Sequence, residues 1–366
     1  MNYREIDWKK LKERYAAWWI GQLEDPIIHI ETHVDKSVCV EPRPQEHEAV
    51  KKWFMDPEVR MTREMKVATN KNYYLDGFPC IDIGRINLSL SLMYNCPTNF
   101  TEHTIWVGHI LQNGLDGWED KVVFNENHEL WHMTLGMAKK AMEIANGEVC
   151  ITQIGGCDGI LDNYSQLRGG QEALIDLTEE ENYDTILAIE RRFLKDFKRY
   201  YFDLYDIIKD NPKGVCLWTK ALMVNGPAHC LQSDFSCMIS PGMYEKLGRW
   251  YLEEQVTIFN NNIYHLDGAN ALQHLPMLAS INKLDCIQFI HNHSGGQSLT
   301  EVVDIIEKIQ ATGKRIEVFS FMADDVVPFL ERLKSAKGLK IMTTPKTKEQ
   351  AEDMVKAIRG MGYCRD

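Results

Sequence analysis

The sequence of 366 residues has no long apolar run, and its longest uncharged stretch, residues 86–101, is interrupted by Asn, Ser and Pro. Residues 1–19 are charged throughout and lack the continuous apolar segment of a signal peptide or a membrane helix. We therefore expect a cytoplasmic protein with no membrane association.

An excess of positive charge is also missing. The chain has 53 acidic and 41 basic residues, a net charge of -12. Nucleic-acid binding depends on many cationic contacts to phosphate, so this composition excludes it as a function.

Two motifs of cysteine and glycine are absent. The ten cysteines form no CxxC pair, and several occupy apolar, strand-like positions, so we expect reduced thiols. The glycine-rich segment 155–170 lacks GxGxxG spacing and predicts no dinucleotide site. Within it, Asp162 and Arg168 could hold a carboxylate-bearing substrate or form an ion pair with each other, and the ion pair is the favoured interpretation.

Apolar runs and amphipathic runs alternate along the second half of the chain. The apolar runs are residues 263–266, 287–290, 316–320 and 339–342. Their spacing of roughly 22 to 30 residues is that of βα units, which predicts parallel strands with helices outside. Residues 27–30, 149–154 and 215–224 are further strand candidates, and 40–146 should hold helices and insertions as well as strands. No repeat or linker marks a domain boundary.

Helix signals accompany these strands. Capping pairs are predicted at Thr178 with Glu181, Ser298 with Glu301 and Thr347 with Gln350. Residues 184–210 have a helical apolar period and predict one extended helix, and Ser240-Pro241 predicts another helix start. The pair Trp18-Trp19 is expected in the core.

The first candidate site is His265 with Asp267, at the end of an apolar strand. Side chains alternate along a strand, so the two should point the same way, towards the strand end where substrates meet parallel sheets. A role in a site is favoured over the alternative, a hydrogen-bonded strand end that stabilises a turn at Gly268.

A second group follows the next strand. His291 and His293 repeat the same spacing, and Gly295-Gly296 would allow close approach to a ligand. Imidazoles suit zinc and related ions, although a solvated loop explains the pattern equally well. Gln288, within that strand, joins them as a substrate-binding candidate.

Asp234 lies in a loop between a predicted strand and the helix that begins at Ser240. It is a candidate general acid or base, or a substrate anchor, with an Asx turn as the alternative. Cys230 and Cys237 are weaker candidates for reactive thiolates.

Four segments carry a resemblance to a known family: residues 18–30, 159–177, 232–247 and 264–290. They resemble the uroporphyrinogen decarboxylase superfamily, in particular its branch of corrinoid-dependent methyltransferases. The resemblance implies a single (β/α)8 TIM-barrel domain over residues 1–366, with an N-terminal helical extension and insertions, and an active site at the C-terminal ends of the strands.

The resemblance also implies a zinc site. The zinc-dependent methyltransferases bind zinc through a His-x-Cys at the corresponding strand end and a later cysteine near the last strand. Here His265 is kept, Asp267 replaces the first cysteine, and residues 339–344 contain none. We therefore expect a modified zinc site of His265, Asp267 and His291, for which His293 or Glu317 are further possible ligands.

Taken together, these features predict a methyltransferase that moves a methyl group between a small methylated or methoxylated compound and a corrinoid protein, and the resemblance suggests a homodimer. Two alternatives stay open. One is a decarboxylase of a small carboxylic acid, in which Arg168 and the histidines bind carboxylates. The other is a non-catalytic ligand-binding barrel that has lost the zinc cysteines. Porphyrinogen decarboxylation is disfavoured, because the chain is acidic and lacks a basic motif near its start.

Overall fold

The computed structural model of the chain describes residues 2–39, 43–84, 90–102, 104–153, 159–219 and 221–364, apart from the side chain of His293. They form a mixed α/β fold with a mostly parallel central sheet. The strands are β1 Ile27–His33, β2 Lys71–Leu75, β3 Cys80–Ile81, β4 Thr98–Phe100, β5 Ile105–Val107, β6 Cys150–Thr152, β7 Val215–Leu217, β8 Leu222–Val224, β9 Ala228–Gln232, β10 Asn261–Asp267, β11 Cys286–Ile290, β12 Arg315–Ser320 and β13 Leu339–Thr343.

Helices separate and cover these strands. They are α1 Trp8–Trp19, α2 His47–Met55, α3 Pro57–Thr69, α4 Trp118–Lys121, α5 Glu129–Ala145, α6 Asp162–Arg168, α7 Gly170–Asp176, α8 Tyr183–Ile208, α9 Pro241–Leu247, α10 Arg249–Gln255, α11 Leu275–Ser280, α12 Val303–Gln310, α13 Val326–Arg332 and α14 Lys348–Gly360. None of the described helices combines the length and the apolar character needed to cross a membrane.

The main sheet has seven strands in the order β2-β1-β13-β12-β11-β10-β9. From β1 to β9 all neighbours are parallel, and β2 is antiparallel at the edge. Their side chains are buried on both faces, which explains why these strands appear in the sequence as short, nearly continuous apolar runs. The predicted alternation of parallel strands and helices in the second half is confirmed.

A second sheet has the order β3-β6-β7-β8, and β4 and β5 form a separate hairpin. Strands β3, β6 and β7 are parallel, whereas β7 and β8 are antiparallel. The segment 215–224 is thus a hairpin of two strands. Among the described residues, no ladder of backbone hydrogen bonds joins this sheet to the main one, so the strand pairing does not show a closed barrel.

The N-terminal helix α1 packs its tryptophans into the core. Trp18 and Trp19 are almost fully buried and pack edge to face, with ring centroids 5.0 Å apart. Each indole N–H donates to a backbone carbonyl, that of Leu339 from Trp18 and that of Met223 from Trp19. Because Leu339 and Met223 belong to different sheets, α1 holds the two sheets together at their N-terminal side.

Most predicted helix starts are confirmed. Ser298 and Glu301 form a capping box, and Ser240 caps α9 ahead of Pro241. Thr347 caps α14 by accepting the Gln350 amide, although the Gln350 side chain turns to Lys346 instead of reciprocating.

The cap at Thr178 with Glu181 is wrong. The Thr178 hydroxyl donates back to the carbonyl of Ile175, and the next short helical turn begins after Glu179. The long predicted helix over 184–210 is confirmed as α8.

Candidate active site at the strand ends

Three potential metal ligands lie together where two neighbouring strands end. His265 and Asp267 are on β10, and Asp234 follows β9. One ligand atom from each side chain lies within 4.8 Å of the other two. His265 Nε2 is 3.9 Å from Asp267 Oδ2, so these two side chains share one face of the strand, as alternation predicts.

The chain turns away directly after this cluster. Gly268 follows Asp267 with a φ of +81°, in the left-handed region that favours glycine. Asp267 is therefore the last residue of the strand and lies exposed at its mouth, whereas His265 is partly buried one layer deeper.

Asp162 fixes the turn that carries Asp234. Its carboxylate accepts the backbone amides of Asp234, at 3.1 Å, and of Phe235, at 2.8 Å. Burial, together with the neighbouring charge of Asp234, raises the pKa of Asp162 to about 7 despite these two donors. Asp234 itself is reached by solvent but lies inside the concave mouth, and burial also raises its pKa. The two carboxyl groups belong to one electrostatic unit.

A buried glutamate on α8 holds the other side of the Asp162 turn. Leu161 has a φ of +70°, unusual for a branched residue, and its amide donates to Glu190 at 2.8 Å. At Gly159, an added Cβ would overlap the Asp162 carboxylate and the Gln232 carbonyl. The loop therefore needs a glycine at 159 and an acceptor at 190 to place Asp162 beneath Asp234.

A row of polar side chains runs from His265 across the sheet. His265, Gln288 and Glu317 are in register on β10, β11 and β12, and Lys340 is in register with Glu317 on β13. His265 Nδ1 is 2.5 Å from Gln288 Oε1, Gln288 Nε2 donates to Glu317 Oε2 at 2.8 Å, and Lys340 Nζ donates to Glu317 Oε1 at 2.7 Å. Beyond His265, the row consists of buried groups.

A cavity of about 610 Å³ lies on the other side of Trp218 from His265, and none of the three cluster residues lines it. The Trp218 ring forms part of the cavity wall and lies 5.5 Å from the ring of His265. Phe319 and Met342 form a further apolar part of the wall. The lining also includes charged residues, which are the basic side chains Arg43, Arg60, Arg63 and Lys71 and the acidic side chains Glu31, Glu64 and Asp82.

One ion pair in this cavity is well defined. Lys71 Nζ donates to Glu31 Oε1 at 2.6 Å. Burial acts to raise the pKa of Glu31, but Lys71 and His29 outweigh it and hold that pKa well below its usual range.

Arg168 does not pair with Asp162, and that prediction is wrong. Its guanidinium binds Asp176, with Nε 2.7 Å from Oδ2 and Nη2 3.2 Å from Oδ1, and it also donates to the carbonyls of Leu111 and Gln112. Tyr164 donates its hydroxyl to the same Asp176. These contacts tie α6 to α7, so Arg168 performs a structural task where it lies.

His291, which follows β11, is not one of the three grouped ligands. Asp234 occupies the third position of the cluster, for which the sequence suggested His291. His291 is 4% exposed, and its ring centroid is 6.0 Å from that of Phe321. The backbone of His293 begins a short turn, His293–Gly295. The side chain of His293 is not among the parts of the chain that the structure describes. Their roles in a site stay predictions.

Sequence reasoning missed three residues that support or border the candidate site. Lys340 is a single charge inside an apolar run, which was a usable signal because a fully buried lysine needs a partner. Glu190 lies on the apolar face of α8 and gave the same kind of signal. Trp218 gave none, since its position beside His265 depends on the pairing of strands distant in sequence.

The fold is similar to that of a methyltransferase from Methanosarcina mazei. The two chains are 14% identical, the match covers 96% of this chain and 97% of that chain, and the TM-score is 0.60. No protein-family model and no curated protein matches the chain. At this identity the likeness shows a shared fold.

The donor atoms of the cluster fit a divalent metal ion. One imidazole nitrogen and two carboxylate oxygens are ligands used by zinc and by other first-row metals. A hydrogen bond from the second ring nitrogen of His265 supplies the outer-shell support that metal-binding histidines usually have. The same residues could alternatively hold and move a proton, because carboxylate and imidazole are the usual acid and base groups.

Proposed function

We propose that this protein is a methyltransferase that moves a methyl group between a small methylated or methoxylated compound and a corrinoid protein. The observation that carries the proposal is the cluster of Asp234, His265 and Asp267 at the carboxyl ends of parallel strands. Such strand ends are where α/β enzymes place their reacting groups. The fold shared with a methyltransferase supports this reading.

Asp234, His265 and Asp267 would hold the metal ion, which we propose to be zinc. When bound there, zinc would act as a Lewis acid on the heteroatom that carries the methyl group. His265 is held by Gln288, and Asp234 is held through its backbone by Asp162, so the chain fixes two of the three donors before any ligand arrives. Preorganisation of this kind lowers the cost of binding.

The cavity beside the cluster would receive the methylated compound. Trp218 and Phe319 would exclude water from the transferred methyl group, and an anionic end of the substrate would compete with Glu31 for Lys71. Trp218 is the wall residue beside His265, so in this proposal the methyl group would lie against Trp218.

We also propose that the two sheets are two sides of one (β/α)8 barrel and that the chain is a single domain of the uroporphyrinogen decarboxylase superfamily. The six parallel strands β1-β13-β12-β11-β10-β9 and the three parallel strands β3-β6-β7 support it, since these nine strands include enough for the eight that the barrel requires. A corrinoid protein as methyl acceptor, and a homodimer, complete this proposal.

The test is metal content, measured by elemental mass spectrometry on protein purified under zinc-replete conditions. Near-stoichiometric zinc is expected in the wild type and in His291→Ala, and its loss is expected in His265→Ala and Asp267→Ala, with circular dichroism showing that the variants fold. Methyl transfer from methylamines and aryl methyl ethers to reduced cobalamin should be lost in the same two variants. A wild type without any metal would overturn the zinc proposal.

A second function is favoured by one observation. The basic side chains Arg60, Arg63 and Lys71 line the cavity, and a carboxylate that displaced Glu31 from Lys71 would bind there, as a decarboxylase of a small acid would require. Arg168, which the sequence suggested for this role, is bound to Asp176 instead. Release of carbon dioxide from small carboxylic acids by metal-free protein would favour this second function.

A further inference from the structure

The polar row that crosses the sheet ends in a fully buried charge. The side chains of Lys340 and Glu317 have no exposed surface, and neither touches the cavity or the Asp234–His265–Asp267 cluster. Removing two charges from water is costly, and a buried ion pair often stabilises a fold no better than apolar residues would. Stability alone therefore gives a weak reason for this pair, whereas a positioning task gives a strong one.

The donors and acceptors of the row follow from its charged end. The Lys340 ammonium can only donate, and the Glu317 carboxylate can only accept. The amide of Gln288 must then present its nitrogen to Glu317 and its oxygen to His265. That oxygen can only accept, so the hydrogen of the neutral imidazole must be on Nδ1.

We infer that Lys340, through Glu317 and Gln288, fixes neutral His265 as the tautomer with hydrogen on Nδ1 and a free lone pair on Nε2. Nε2 is the ring nitrogen that faces Asp267, 3.9 Å from Oδ2, so the lone pair is available on the side of the carboxylates. Lys340 is thus a positioning residue for a site that it does not contact. The tautomer stands by itself, and only its use in metal binding rests on the proposed function.

The opposite tautomer would disrupt the row. Hydrogen on Nε2 would leave Nδ1 as an acceptor facing the amide oxygen of Gln288, at a separation of 2.5 Å. Turning the amide over to relieve that repulsion would place its nitrogen against the imidazole and its oxygen against the Glu317 carboxylate. Two acceptors would then face each other in a buried site, which is unfavourable.

The tautomer can be measured directly by NMR of metal-free protein labelled with nitrogen-15 in its histidines. At alkaline pH, where an imidazole is neutral, the shifts of the two ring nitrogens report which one carries hydrogen. The signal of His265 is identified by its absence in His265→Ala. We expect hydrogen on Nδ1 in the wild type, and hydrogen on Nε2 would overturn the inference.

A second experiment removes one hydrogen-bonding group from the row. Gln288→Met keeps the length of the side chain but removes the acceptor, and His265 should change to a mixture of both tautomers. Cys286→Ala is the matched control, because it removes buried atoms from the same strand face without touching the row. An unchanged Nδ1 tautomer in Gln288→Met would also count against the inference.

Zinc affinity separates this inference from the proposed function. Gln288→Met retains all three donors yet should bind zinc about 10 to 100-fold more weakly, the usual effect of removing an outer-shell partner. A wild type that binds no zinc but shows the Nδ1 tautomer would contradict the metal site and leave the tautomer established. A wild type that binds zinc but has hydrogen on Nε2 when metal-free would support the metal site and contradict the tautomer.

Discussion

Lys340 and Glu317 form an ion pair in which neither side chain has any exposed surface, with Nζ 2.7 Å from Oε1. The pair joins the two strands β12 and β13 inside the sheet and is the end of the polar row that leads to His265. The contribution of this ion pair to folding stability can be tested separately from its effect on His265.

Removing only Lys340 should destabilise the protein more than removing the charges of both Lys340 and Glu317. Lys340→Met leaves the Glu317 carboxylate buried and uncompensated, so the free energy of unfolding should fall by about 3 to 5 kcal/mol. Lys340→Met combined with Glu317→Gln keeps an acceptor for Gln288 and should lose less. Guanidinium unfolding curves measure both, and a double variant less stable than the single one would contradict this account.

Arg168 should be important for stability and unimportant for activity. Arg168→Met leaves Asp176 buried with only Tyr164 as a partner, so we expect a loss of about 3 to 5 kcal/mol in the free energy of unfolding. Arg168→Lys, which keeps the charge, should lose less. The activity of the folded fraction should match the wild type, because Arg168 does not line the cavity, and a selective loss of substrate binding would show that it does contact substrate.

Glu190 should make the protein less stable as the pH rises. Burial raises the pKa of Glu190 well above its ordinary value, so the folded protein keeps a proton that the unfolded chain releases near pH 4.5. The free energy of unfolding should therefore decrease as the pH rises from about 4.5 towards the folded pKa. Glu190→Gln mimics the protonated group and should remove this dependence.

The gain in Glu190→Gln at alkaline pH should be about 1 to 3 kcal/mol, the cost of an unsatisfied buried group. Asp203→Asn, on the exposed side of the same helix, is the control and should leave the pH profile as it is. Parallel pH profiles for wild type and Glu190→Gln would show that Glu190 is ionised in the folded protein.

Gly159 should be necessary for the metal site although it cannot bind metal itself. In Gly159→Ala, the new methyl group would meet the Asp162 carboxylate and the Gln232 carbonyl, and the turn that carries Asp234 would shift. We expect zinc binding to weaken by at least about 10-fold, as after the loss of an outer-shell partner. Gly242→Ala is the control, because the added Cβ has open space, and it should bind zinc normally. Equal zinc affinity in the two variants would show that the loop at Gly159 does not affect the metal site.

Much of the architecture was open to prediction because its causes are local. The apolar runs of β10 to β13, the helix starts at Ser240 and Ser298, and the long apolar period of α8 depend on residues a few positions apart. His265 and Asp267 could be placed on one strand face for the same reason, since alternation is a property of the strand itself.

The sequence by itself therefore determined most strands and helices of the second half and which side chains come at the ends of β10 and β11. Only the tertiary structure decided the partners: Asp176 for Arg168, Asp234 beside His265, and Lys340 and Glu317 for each other. The physical reason is that these contacts join strands and helices far apart in the chain, and the lateral order and register of a sheet arise from its packing as a whole.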